Sequence, residues 1–254
     1  MKLIPLFCAV PFLFSCGGGT TSSSSEDTTS NGATRRLVDE DEKPTFFFLG
    51  SSVTYGATTN GKSFVENVVN DLSCNVIKEA VSGTNLADTK SGSYVDRFLK
   101  KVDVTQQYDH FIIQLSTNDA TNKIPYGSVS TNYMSDSFDT KTTAGAIEFL
   151  IAYIDENFGS EITFYTNPYY QNERYAQLVS LLDEIVAKWD FVHVLDYYRY
   201  TDMEPLDEAT LKSYMSDNIH PNEKGYKWMS GIMEDHLVKV YEDNHGGLTI
   251  RKSE

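Results

Sequence analysis

The feature that most constrains this chain is a repeated alternation of short apolar runs with segments whose apolar residues recur at helical spacing. Five runs have strand length: Thr45 to Leu49, Val76 to Val81, His110 to Leu115, Ile162 to Thr166 and Phe191 to Leu195. Between them, Phe64, Val65, Val68, Val69 and Leu72 fall on one helical face. So do Ile147, Leu150, Ile151, Ile154 and Phe158, and later Tyr175, Leu178, Val179, Leu182, Ile185 and Trp189. Tyr94 to Val102 reads as a short helix, and a last helix is expected from just after Pro221 to about Tyr241. Residues 119 to 141 are polar and irregular, and a long surface loop is expected there. Strands alternating with helices predict an α/β fold, a three-layer α/β/α sandwich around a central, mainly parallel five-stranded sheet. Such sheets bind ligands beyond the carboxyl ends of their strands. Those ends carry Ser51-Ser52, Ser82-Gly83, Ser116 to Asp119, Asn167 and Asp196.

The first 43 residues lie outside this pattern. Lys2 precedes an apolar run from Leu3 to Phe14, which suits the core of a signal peptide over residues 1–15 and is too short to span a bilayer. Leu13-Phe14-Ser15-Cys16 resembles the lipobox of bacterial lipoproteins, which implies that Cys16 is acylated after cleavage. Plain secretion is the alternative. Residues 16–43 then form a Ser/Thr/Gly and acidic tether with no apolar periodicity. Residues 44–245 are expected to make one domain, with 246–254 as a tail. After cleavage Cys74 is the only free thiol, best read as a small buried apolar residue.

The charge narrows the partners. With 21 basic and 36 acidic residues the formal charge is −15, a surface that repels phosphate backbones. Nucleic acid is therefore not an expected partner. One motif points the other way. Gly56-Ala-Thr-Thr-Asn-Gly61-Lys62-Ser63 matches the phosphate-loop pattern of nucleotide triphosphatases. That loop needs its first glycine at a strand end so that backbone amides wrap the phosphates, and here Gly50 ends the strand and Gly56 comes six residues later. A polar loop leading to a helix capped near Ser63 is the better reading.

Ser52 sits just past the first strand, where a serine hydroxyl can project from the sheet edge beside free backbone N–H groups. A serine nucleophile needs a base, and there are five histidines. His110 opens a strand and reads as structural. His236, in the last helix, and His245, in the tail, are expected in solvent. His193 follows Asp190 by three along a strand, which points the two side chains to opposite faces. His220 also follows an acid by three, Asp217, but in the loop Ser216-Asp217-Asn218-Ile219-His220-Pro221. A loop can curl so that Asp217 accepts the Nδ1 hydrogen of His220 and leaves Nε2 free as a base.

In this order the pieces resemble the SGNH (GDSL-type) hydrolases, a family of serine esterases and lipases with a flavodoxin-like α/β fold. Gly50 to Gly56 resembles the first block, and the resemblance assigns the nucleophile to Ser52. Gly83 matches the glycine of the second block, Asn118 the asparagine of the third, and Asp217 and His220 the D-x-x-H of the fifth. The resemblance implies a catalytic set of Ser52, His220 and Asp217. It also implies an oxyanion hole made by the Ser52 and Gly83 backbone N–H groups and the Asn118 side chain. Ser51 stands where the family has an aspartate, and Ser116 where the third block has a glycine. No cofactor is implied, and no cluster of His, Cys or Asp has metal-site spacing.

The expected function is hydrolysis of short acyl esters, such as acetyl esters, outside the cell, on a small molecule or a glycan. Tyr165-Thr-Asn-Pro-Tyr169-Tyr170 is a candidate wall for a sugar cleft. No apolar lid is evident, which disfavours long acyl chains. The alternatives are a lysophospholipase-like lipid esterase, a non-catalytic glycan-binding module and a nucleotide triphosphatase.

Overall fold

The computed structural model describes residues 43–245. The expected signal peptide, the Cys16 anchor, all but the last residue of the tether, and the tail fall outside the described residues. The elements run β1 (Thr45–Gly50), α1 (Ser52–Tyr55), α2 (Phe64–Asp71), β2 (Asn75–Ala80), α3 (Tyr94–Lys101), β3 (His110–Gln114) and α4 (Thr117–Thr121). They continue with α5 (Thr143–Asn157), β4 (Glu161–Tyr165), α6 (Glu173–Val186), β5 (Val192–Leu195), α7 (Glu208–Ser213) and α8 (Glu223–His245). The five strands form one sheet in the order β2-β1-β3-β4-β5, and every neighbouring pair is parallel. The fold is the expected α/β/α sandwich.

Alternate residues of each strand feed two cores, which is why the strand sequences are apolar throughout. Phe47, Leu49, Phe111, Ile113, Ile162 and Phe164 pack on one face, against residues of α3, α5 and α6. Phe46, Phe48, Ile112, Tyr165 and Leu195 pack on the other, against α2 and α8. On α8 the stripe Tyr226, Met229, Met233, Leu237 and Tyr241 supplies that contact. The sheet order reverses between β1 and β3, so the connections leaving their carboxyl ends run to opposite faces, the place where such sheets bind ligands. Ser52 and Asn118 follow those two strands.

Four local expectations need correction. The stretch 119–141 is not simply a surface loop: it begins inside α4 and is fastened along its length. Glu148, fully buried on α5, accepts the Ser130 N–H and pairs with Lys188, whose Nζ also donates to the carbonyls of Ser130 and Asn132. Tyr165 is fully buried between the sheet and α2, and Tyr170 is buried with its hydroxyl on Thr121 Oγ1, so neither lines an open cleft. Cys74 is half-buried, and burial pushes its thiol up to about 11.

The fourth correction is His236. It lies largely under the sheet, with Nε2 at 3.0 Å from Thr163 Oγ1, which His110 Nε2 also meets at 2.8 Å. The His193 ring lies 6.3 Å away, its own Nε2 on Glu161. Burial first, then the nearby His193 and Lys239, lower the His236 pKa to about 4. The unfolded chain therefore takes up this proton before the folded one, and stability present above pH 6.5 is lost as pH falls toward 4. Wild-type protein should lose about 2–3 kcal/mol more stability between pH 7 and 4.5 than His236→Gln, read from urea midpoints. Parallel pH profiles for the two proteins would refute this.

Candidate active site

The first strand ends in a turn that only glycine permits. A Cβ on Gly50 would lie 1.7 Å from Thr54 Oγ1, so β1 passes directly into α1 without a side chain at that corner. The turn is fixed from below by Gln114, the last residue of β3. Its Oε1 accepts the Ser51 N–H at 2.9 Å, the Thr54 N–H at 3.3 Å and the Thr54 hydroxyl at 2.9 Å. Ser52 then opens α1, 7% exposed at the mouth of the crevice. As the first residue of a helix its N–H has no intrahelical acceptor.

The His220 loop reaches Ser52 from the other side of the sequence. Met215 and Pro221 bridge in antiparallel fashion and the Ser216 N–H donates to the His220 carbonyl, closing a tight loop. Within it Asp217 Oδ1 accepts the backbone N–H groups of Ile219 and His220, at 2.8 and 2.7 Å. Asp217 Oδ2 lies 2.8 Å from His220 Nδ1, and His220 Nε2 lies 2.8 Å from Ser52 Oγ. Burial works to raise the Asp217 pKa, but these hydrogen bonds outweigh it and hold the carboxyl below its usual value. Asp217 is thus ionised at neutral pH. It fixes the Nδ1 hydrogen on His220 and leaves Nε2 to face the serine hydroxyl. Asn167, past β4, braces this loop by donating to the carbonyls of Ile219 and Tyr169.

Of the three expected oxyanion donors, the Ser52 N–H opens α1, Gly83 lies past β2 and Asn118 past β3. Gly83 lies in the turn after β2 at φ 77°, a left-handed conformation that favours glycine. Asn118, on α4, donates from Nδ2 to Ser51 Oγ at 3.1 Å, one residue from Ser52. Asp119, named in sequence only as a strand-end position, and Arg97, which the sequence does not mark, hold the surrounding loops in place. Buried Asp119 accepts the N–H groups of Leu86 and Ala87 and the Thr143 hydroxyl, tying the Gly83 loop to α4. Burial raises the Asp119 pKa against the pull of those bonds. Arg97 donates to the Gly50 carbonyl at 2.8 Å, to Thr84 Oγ1 at 3.2 Å and to Glu79, joining the ends of β1 and β2. Gln114 and Asp119 carry one visible signal, a polar side chain ending or following an apolar strand. Arg97 carries none.

The phosphate-loop pattern folds differently from a phosphate loop. The N–H groups of Thr59 and Gly61 donate to the Gly56 carbonyl, and that of Lys62 to the Thr59 carbonyl, so these amides are used within the turn. Ser63 caps α2 in a reciprocal arrangement with Glu66, as expected. Among the described residues no group of three or more His, Cys, Asp or Glu side chains could hold a metal ion.

Residues 48–228 match the model of the GDSL-like lipase/acylhydrolase family, a span that includes every element of this site. The chain belongs to that family. It is an ester-hydrolysing enzyme. No curated protein sequence matches the chain. Solved structures share the fold of this GDSL-like hydrolase at low identity. A Lactobacillus plantarum protein superposes with a TM-score of 0.63 at 16% identity, covering 77% of this chain and 96% of its own. A Bacteroides ovatus protein described as a GDSL-like lipase gives 0.54 at 16% identity, covering 78% and 100%. An active-site mutant of a family two carbohydrate esterase from Clostridium thermocellum gives 0.55 at 16% identity, covering 80% of this chain and 64% of that one.

Proposed function

We propose that this GDSL-like hydrolase removes short acyl groups, such as acetyl, from carboxylic esters through Ser52, His220 and Asp217. The observation that carries the reading is the unbroken line from Asp217 through His220 to Ser52, with 2.8 Å at each step. His220 Nε2 takes the Ser52 hydroxyl proton as Oγ attacks the ester carbonyl. The Ser52 and Gly83 N–H groups and Asn118 Nδ2 receive the negative charge that forms on the carbonyl oxygen. The imidazolium, stabilised by Asp217, protonates the departing alcohol and leaves an acyl group on Ser52. Water, deprotonated by His220, then attacks that acyl group and restores the serine.

A glycan ester is the preferred substrate class, supported by the likeness to a carbohydrate esterase and by the absence of an obvious apolar lid in the sequence. We also place the protein on the outer face of the bacterial membrane, held through a lipid on Cys16. The test is a panel of acetylated glycans, acyl esters of graded length and lysophospholipids, run with protein from cells carrying either wild-type chain or Cys16→Ala. Highest kcat/KM on acetyl esters, with the variant leaving the membrane fraction, is the expected result. Preference for long acyl chains or lysophospholipids would replace the substrate reading. Unchanged membrane partitioning would remove the anchor.

A further inference from the structure

Ser51 is one of the residues at which this chain departs from its family's motifs, and it is fully buried beneath the nucleophile turn. The hydrogen-bond polarity around it can be fixed step by step. The backbone N–H groups of Ser51 and Thr54 can only donate, so the atom of Gln114 that faces them must be the amide oxygen, Oε1. That oxygen lies 3.4 Å from Ser51 Oγ, and the buried Tyr94 hydroxyl is the other hydrogen-bond partner on that side, so the Ser51 hydroxyl hydrogen is taken up between Gln114 and Tyr94. Ser51 Oγ is then left as an acceptor on its other side. The atom it meets there at 3.1 Å must be a donor, and that is Asn118 Nδ2.

The consequence falls on the reaction. An asparagine amide turns about a broad, roughly two-fold torsion, and its two ends differ in sign. Turned one way, Asn118 offers an N–H to the reacting oxygen. Turned the other, it offers a carbonyl oxygen and repels the developing charge. One N–H held by Ser51 selects the first orientation and leaves the second N–H for the substrate. We propose that Ser51 is a positioning residue that acts through Asn118, its Oγ holding one Asn118 N–H and so setting the orientation of the amide at the oxyanion hole. The neutral hydroxyl does this with no additional buried charge, at the position where the family carries an aspartate. The inference rests on Asn118 being an oxyanion donor.

A double-mutant cycle of Ser51→Ala and Asn118→Ala, measured on an activated acetyl ester, tests it. Endpoint labelling by a fluorophosphonate counts the folded sites in which Ser52 and His220 still work. Normalised to those sites, Ser51→Ala should lower kcat by about 10-fold or more with KM within about 3-fold, because the loss belongs to the transition state. In the Asn118→Ala background the same substitution should cost no more than about 2-fold, since its target is gone. Ser51→Cys, nearly isosteric and a weak acceptor, replaces Ser51→Ala in the cycle if the latter does not fold. Additive losses overturn the inference, as does wild-type kcat in Ser51→Ala, or a KM rise at constant kcat. Wild-type kcat in Asn118→Ala alone overturns the oxyanion reading itself, and this inference with it.

Discussion

Replacing His220 by alanine is expected to lower ester turnover by about 10⁵-fold or more, with the folded structure retained. The magnitude follows from the loss of the base that meets Ser52 Oγ, which stands 2.8 Å from His220 Nε2. A serine hydroxyl without a base is a poor nucleophile at neutral pH. The side chain is 22% exposed and packs in a loop fastened by its own backbone bonds, so its removal leaves that loop supported. Asp217→Asn should cost less, about 10⁴-fold, because it disturbs the orientation and charge of the base without deleting it. Asp217 is 54% exposed, and solvent screens part of its charge. Steady-state kinetics on an activated acetyl ester reads both. Activity within about 10-fold of wild type in His220→Ala would assign the base elsewhere.

Asn118→Ala should slow turnover by about 10²–10³-fold with a much smaller change in apparent substrate binding. The donor is held one residue from the nucleophile and leaves the Ser52–His220 pair untouched. Slow covalent labelling by a fluorophosphonate should therefore survive in this variant and disappear in His220→Ala. Unchanged kcat in folded Asn118→Ala would reduce this residue to part of a turn.

Much of this site was legible because the sheet and the chemistry are written at different scales. Phe46, Phe47, Phe48 and Leu49 are all apolar because alternate residues enter different cores, and so the strand is visible without any partner. Their ends then locate Ser52 and Asn118. The helices α1, α4 and α7 were not legible, since four to six residues are too few to show a helical period. His236 looked solvent-facing because Glu234 and Asp235 precede it in the last helix and Lys239 follows. Its partners Thr163 and His193 lie on two separate strands, which meet it only in the folded sheet. Arg97 was invisible for the same reason. Its partners Gly50, Glu79 and Thr84 meet only when β1 and β2 pair.

In the proposed mechanism Ser52 carries the acyl group during turnover. Acid quench within the first turnovers on an activated acetyl ester, followed by peptide mass mapping, detects this intermediate. One added acetyl group on Ser52, absent in His220→Ala, is the expected result. Acetyl on another residue, or undiminished hydrolysis by Ser52→Ala, would contradict it.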